Sequence, residues 1–189
     1  MGFNRKNIPN YLTYFRIVII PVLIVVFFLT DYIGRSGYYI SAFLFALASF
    51  TDWLDGYAAR LWQAQSNIGR FLDPIADKLL VATVLLLMVA ENRVSVIPAI
   101  AIVCREILVS GLREYLAEIR IGVPVSKLSK FKTAAQMLAI FLLLLGAGAP
   151  SWLYADFLGN ILLWLAAALT VVTGYAYLKT GMKHMSENQ

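Results

Sequence analysis

Apolar residues dominate long stretches of this chain, and the polar residues fall mostly at intervals between them. About 20 helical residues cross the hydrocarbon core of a bilayer. Six segments of that kind are predicted, near residues 11–30, 38–59, 70–91, 95–118, 131–148 and 154–178. Breakers stand between them: Gly34 and Gly37, Gly69, Asn92, Gly122 with Pro124, and Gly148 with Pro150. Met1 to Asn10 mixes Lys and Arg with Ile8 and Pro9, and is expected to form a short segment lying in the membrane interface. Arg5 and Lys6 before an apolar run resemble a signal peptide, but Ile17 to Leu29 lacks a small-x-small cleavage site. It is therefore read as a retained membrane helix. The expected fold is an all-α integral membrane protein with six transmembrane helices, one domain over residues 1–189.

Composition agrees. Hydrophobic residues make up 60% of the 189 and charged residues 14%, against about 25% charged in a soluble domain. Mean hydropathy is +0.74. The net charge of +5 suggests nucleic acid in a soluble protein. Here the basic residues sit between apolar segments, so they are read as topology markers and no nucleic-acid partner is expected. With both termini on one side, that side holds most of the 16 Lys and Arg, and the opposite loops hold only Arg35 and Arg93. The positive-inside rule then puts both termini in the cytoplasm. Cys104, the single cysteine, is expected to pack as a small hydrophobe, and no intrachain disulfide is possible. His184, the single histidine, lies in the polar tail, which excludes a histidine-based metal site or triad in the core.

Charges inside the apolar segments carry the functional signal, because each costs about 2.5–3.5 kcal/mol near a helix centre. Segment two ends with Asp52, Asp55 and Arg60; segment three opens with Asp73, Asp77 and Lys78. The spacings i, i+3 and i, i+4 put each aspartate pair on one helix face. A short connection, Leu61 to Ile68, makes the two helices antiparallel neighbours whose acidic faces meet. Four such carboxylates repel one another and call for a cationic partner. Divalent ions with hard oxygen ligands, Mg²⁺ or Mn²⁺, answer that need, and two ions are expected. Mg²⁺ commonly shares its shell with substrate phosphates, which points to phosphate chemistry. Gly56, Ala59 and Gly69 allow close approach of a nucleotide, and Arg60 suits phosphate. Pro74 after Asp73 is consistent with the first turn of a helix. The blander readings are structural ion pairs with Arg60, Arg70 and Lys78, a proton or ion path, or a non-catalytic scaffold. An ion path favours mid-membrane sites at broken helices, whereas these aspartates lie near the cytoplasmic ends.

The run Asp52-x-x-Asp55-Gly56-x-x-Ala59-Arg60, eight residues, Gly69-x-x-x-Asp73-x-x-x-Asp77 resembles the complete signature of the CDP-alcohol phosphotransferases. Flanking motifs resemble the bacterial branch that forms phosphatidylglycerol phosphate. They are Asn7-Ile8-Pro9-Asn10 through Thr13 and Arg16, Arg105-Glu106-Ile107 through Gly111-Leu112-Arg113-Glu114, and Lys130-Phe131-Lys132 through Met137. Ser129 departs from the glycine common in relatives. The resemblance implies six transmembrane helices, a homodimer and a cytoplasmic active site in the inner membrane. It also implies CDP-diacylglycerol as donor and sn-glycerol 3-phosphate as acceptor. Serine, inositol phosphate or phosphatidylglycerol remain alternative acceptors. By the same resemblance Asp52, Asp55, Asp73 and Asp77 hold the metals. Asp52, Gly56, Ala59, Arg60 and Gly69 shape the CDP site, and Asp77 is the general base. A phosphorylated acceptor needs a cationic pocket, for which Arg105, Arg113, Lys130 and Lys132 are the candidates. Topology marking is the plain alternative for the last three, and an ion pair with Glu106 or Glu114 for Arg105. The aromatic residues, Trp53, Trp62, Trp152 and Trp164 among them, are read as interfacial anchors and lipid-facing bulk.

Overall fold

The structure is a computed structural model and describes residues 8–62, 67–119, 127–150 and 153–187. Within these, the side chains of 8–10, 53, 55–62, 67–71, 127 and 183–187 are outside the described set. Among the described residues the chain is all-helical. Its elements are α1 (Ile8–Phe28), α2 (Thr30–Ile33), α3 (Arg35–Trp62), α4 (Asn67–Ala90), α5 (Val96–Glu118), α6 (Lys127–Gly148) and α7 (Ala155–Glu187).

Each predicted segment corresponds to one of the six long helices; half of the ends extend past the predicted bounds, that of α7 as far as Glu187. Three differences have physical causes. Ile8, Pro9 and Asn10 belong to α1 and do not form a separate interfacial piece; residues 1–7 of that expected segment are outside the described residues. Pro at the second helical position is tolerated because the first N–H groups have no intrahelical partner. A single-turn helix, α2, occupies the polar step at Thr30–Ile33. It closes on Gly34 at φ +63°, a left-handed conformation that glycine adopts without a Cβ penalty. And α4 begins at Asn67, so Pro74 lies inside the helix and not in its first turn, removing one rung of the backbone ladder beside Asp73.

α1 packs on α3 and α4, α6 on α3 and α7, and α5 on α4 and α7. All six long helices feed one apolar core, with Leu23, Ala48, Val84, Ile102, Leu143 and Leu163 fully buried, one from each. Large apolar side chains also cover the outside, including Phe43, Leu86, Ile97, Phe157 and Val172. An outer surface of this kind suits lipid and not water. Cys104, expected to pack as a small hydrophobe, is exposed.

α1, α6 and α7 are long and apolar enough over their lengths to cross a membrane. α3, α4 and α5 carry Asp52, Asp73, Asp77, Lys78, Arg105 and Glu106 within their lengths. Glycines set the tight crossings. A Cβ on Gly159 would stand 2.8 Å from Leu143 Cγ, and one on Gly181 would stand 2.8 Å from Leu112 Cδ2. α7 thus approaches α6 and α5 closely, as small residues permit between membrane helices.

Candidate active site

The site is assembled from all six long helices, at the end of the bundle where α3 finishes and α4 and α6 begin. α1 supplies Thr13 and Arg16, one turn apart on a buried face. Arg16 is fully buried, and its Nη1 lies 2.5 Å from Asp52 Oδ1 on α3. Thr13 Oγ1 donates a hydrogen bond to Asp73 Oδ1 on α4. One face of α1 therefore ties together the two aspartate-bearing helices. A guanidinium buried this deeply carries a desolvation cost that its carboxylate partner offsets. Asp52 is partly open, with 41% of its side chain exposed, so it can still face a ligand.

A cavity of about 690 Å³ opens beside this network. Asp52 and Asp77 line one part of its wall; Arg105, Arg113, Lys130 and Lys132 line another. The i, i+4, i+8 spacing of Arg105, Val109 and Arg113 brings all three from α5 to the cavity. Lys130, Thr133 and Met137 do the same from α6. All four basic residues singled out in the sequence thus meet two of the aspartates in one cavity. Asp73 does not line it and is held by Thr13 instead. The side chains of Asp55, Gly56, Ala59, Arg60 and Gly69 lie outside the described residues.

Glu106 organises the cationic wall. Its Oε1 accepts from Lys132 Nζ and, at 3.2 Å, from Arg105 Nη1. The expected ion pair of Arg105 with Glu106 is present, yet Arg105 lines the cavity as well. Lys132 is 2% exposed and Arg105 Nη2 also reaches Thr173 Oγ1 at 3.4 Å. Two cations on one carboxylate leave a surplus positive charge toward the cavity, which suits a phosphate dianion. Arg113 is exposed and stacks over the Tyr177 ring at 5.8 Å. Lys78 Nζ donates to the Pro74 carbonyl at 2.7 Å.

Thr13, Arg16 and Glu106 were not among the predicted site residues. The signal existed: each is a polar or charged side chain inside an apolar segment, and Thr13 and Arg16 stand at i, i+3.

The donor chemistry fits a hard divalent cation, since the cavity offers carboxylate oxygens and neither His nor Cys. Among the described residues no three His, Cys, Asp or Glu side chains converge on one point. Mg²⁺ commonly takes one or two protein carboxylates and completes its shell with water and substrate phosphates, so Asp52 and Asp77 on the cavity wall are compatible with it.

A helical membrane bundle in which Asp52 and Asp77, from two neighbouring helices, line a pocket with a cationic wall defines the class. Residues 6–172 match the family described as CDP-alcohol phosphatidyltransferase, and the chain belongs to that family. Its relatives narrow the comparison. A protein of Rickettsia felis is 46% identical over 179 residues, covering 95% of this chain and 97% of its own length. One from Rickettsia typhi is 48% identical over 174 residues, covering 92% and 96%. One from Haemophilus influenzae is 40% identical over 191 residues, covering 97% and 98%. All three are named CDP-diacylglycerol–glycerol-3-phosphate 3-phosphatidyltransferase.

Proposed function

We propose that this chain is a membrane enzyme that transfers the phosphatidyl group of CDP-diacylglycerol to sn-glycerol 3-phosphate, forming phosphatidylglycerol phosphate and CMP. The observation that carries this reading is the single cavity in which Asp52 and Asp77 face Arg105, Arg113, Lys130 and Lys132. The relatives' shared name supports the same donor and acceptor.

The acceptor's phosphate binds the cationic wall, where Arg105 offers a planar fork and Lys130 and Lys132 offer point charges. That contact brings the far hydroxyl toward Asp77. Asp77 takes the hydroxyl proton as the oxygen attacks the phosphorus that bears the diacylglycerol. The bond from that phosphorus to the bridging oxygen of the CMP phosphate breaks, and CMP leaves with the electron pair. Gly56, Ala59, Arg60 and Gly69, with Asp52, form the CDP site. Asp52, Asp55, Asp73 and Asp77 would hold two Mg²⁺ or Mn²⁺ ions, which would stabilise the charge developing on the pyrophosphate. Arg16 and Thr13 hold Asp52 and Asp73 in place from α1.

The same reading takes the six long helices as six spans in the inner membrane. Both termini and the site then lie on the cytoplasmic side, supported by the asymmetry of Lys and Arg. It includes a homodimer, supported by the family resemblance.

The test is CMP release by purified protein in detergent with CDP-diacylglycerol and Mg²⁺, across sn-glycerol 3-phosphate, serine, inositol phosphate and phosphatidylglycerol. Release with sn-glycerol 3-phosphate alone is expected. Release with another acceptor would keep the aspartate chemistry and overturn the acceptor. Release with none, from folded protein, would overturn the enzyme reading.

A further inference from the structure

One polar side chain on α6 has no task in the reaction as written above. Gln136 is 3% exposed, and its Oε1 has no hydrogen-bond partner among the described residues. Buried amide oxygens are nearly always paired, so an unpaired one signals a missing donor. Gln136 lines a second cavity of about 40 Å³, whose walls include Asp77, Glu106 and Thr133. Those three also line the large cavity, so the small one adjoins it as a side chamber. Its size admits one water molecule or one hydroxyl group.

The chemistry of the missing donor is constrained. The oxygen of an amide accepts and does not donate. The nearby carboxylates are acceptors when ionised, and Glu106 is already engaged by Arg105 and Lys132. Lys78 and Thr133 are the donors on the chamber's walls, but they donate to the Pro74 and Ser129 carbonyls and neither reaches the Gln136 oxygen. An O–H group brought in from outside the protein is the donor that remains. The chamber's walls include Asp77, from the end where the acceptor's hydroxyl reacts, and Glu106, from the end that organises its phosphate site. An acceptor that spans from Asp77 to the cationic wall would carry its middle carbon between those two ends, each of which contributes a residue to the chamber's walls.

We propose that Gln136 accepts a hydrogen bond from the non-reacting hydroxyl of a polyol phosphate acceptor, and so determines which phosphorylated alcohols the enzyme uses. This rests on the function proposed above. In sn-glycerol 3-phosphate the group read is the C2 hydroxyl. A permanently bound water is the other source of an O–H donor, and substrate analogues separate the two.

The experiment compares sn-glycerol 3-phosphate with 1,3-propanediol monophosphate, which lacks the C2 hydroxyl, using the full chain in detergent with CDP-diacylglycerol and Mg²⁺. The wild type is expected to favour sn-glycerol 3-phosphate in kcat/KM by about tenfold or more, since a site built to pair a hydroxyl rejects the analogue lacking it. Gln136→Met, nearly isosteric but without the oxygen, is expected to lose that factor on sn-glycerol 3-phosphate and little on the analogue, bringing the ratio toward one. Gln136→Glu retains an acceptor oxygen and is expected to keep the preference even where both rates fall. A wild-type ratio of one, with clear turnover, would overturn the inference without any variant. Equal losses on both substrates in Gln136→Met would also overturn it, in favour of a structural water. No turnover by the wild type on either substrate would overturn the proposed function, and the inference with it.

Discussion

A Cβ placed on Gly174 of α7 would stand 2.8 Å from Cγ of Arg105 on α5. The absence of a side chain at Gly174 is what lets Arg105 lie across the face of α7, with Nη2 near Thr173 and Nη1 on Glu106. Cγ is close to the root of the arginine side chain. It cannot give way without redirecting the guanidinium, unlike the tip of a flexible chain.

Gly174→Ala is therefore expected to raise the KM for sn-glycerol 3-phosphate severalfold while leaving the KM for CDP-diacylglycerol nearly unchanged. Arg105→Ala removes the charge-assisted contact altogether. Such contacts are worth about 1.5–3 kcal/mol, or roughly 10- to 150-fold, and the acceptor KM is expected to rise within that range. Steady-state kinetics with each substrate varied in turn decides the matter. Equal changes in both KM values would show that Arg105 does not belong to the acceptor pocket.

Glu106 stands between two cations, one of them the almost fully buried Lys132. Glu106→Gln leaves Lys132 and Arg105 facing each other without an anion. A fall in stability of about 1–3 kcal/mol is expected, read as a lower Tm in detergent, together with a raised acceptor KM. Adding Lys132→Met should recover the Tm, because the uncompensated buried charge is gone, but not the KM. If the double variant is less stable than Glu106→Gln, the pair is not the source of the effect.

The course of the six long helices was legible because long apolar stretches stand out whatever their neighbours, and breakers such as Asn92, at φ +57° between α4 and α5, mark the turns. The aspartates were legible because charge inside an apolar segment is costly and stands out. The roles of Thr13, Arg16 and Glu106 were not. Each depends on which helix packs against which: Arg16 matters because α1 lies against both α3 and α4, a fact of tertiary packing that no local spacing contains. The split between Asp73 and Asp77 was hidden for the same reason. They share a face by the i, i+4 rule, yet Thr13 takes Asp73 while Asp77 lines the cavity.

Arg16 and Asp52 give a prediction of their own. Arg16 is fully buried and Asp52 is half open toward the cavity. Arg16→Met keeps the bulk of the side chain and removes the charge that fixes Asp52. Turnover is expected to fall by about 100-fold or more, by loss of positioning, with a lowered Tm. Arg16→Lys keeps the charge but not the planar fork and should recover part of the activity. Near-wild-type CMP release by Arg16→Met would mean that Asp52 needs no anchor from α1.

Asp77 lines both the large cavity and the chamber beside Gln136, which places it next to any hydroxyl entering from the acceptor side. As the base, it contributes at the step where the attacking oxygen loses its proton. Such catalysis is commonly worth about 10²–10⁴-fold. Asp77→Asn preserves the size of the side chain and an oxygen that can accept, but not the basicity. It is expected to lose turnover by that factor while still binding CDP-diacylglycerol in a detergent binding assay. Removing divalent ions with a chelator should act differently: CMP release stops in the wild type and returns on adding Mg²⁺ or Mn²⁺, and donor binding weakens as well. Turnover within a few-fold of wild type in Asp77→Asn would exclude Asp77 as the base. Loss of donor binding in the same variant, matching the chelated wild type, would instead assign Asp77 to holding the donor rather than moving the proton.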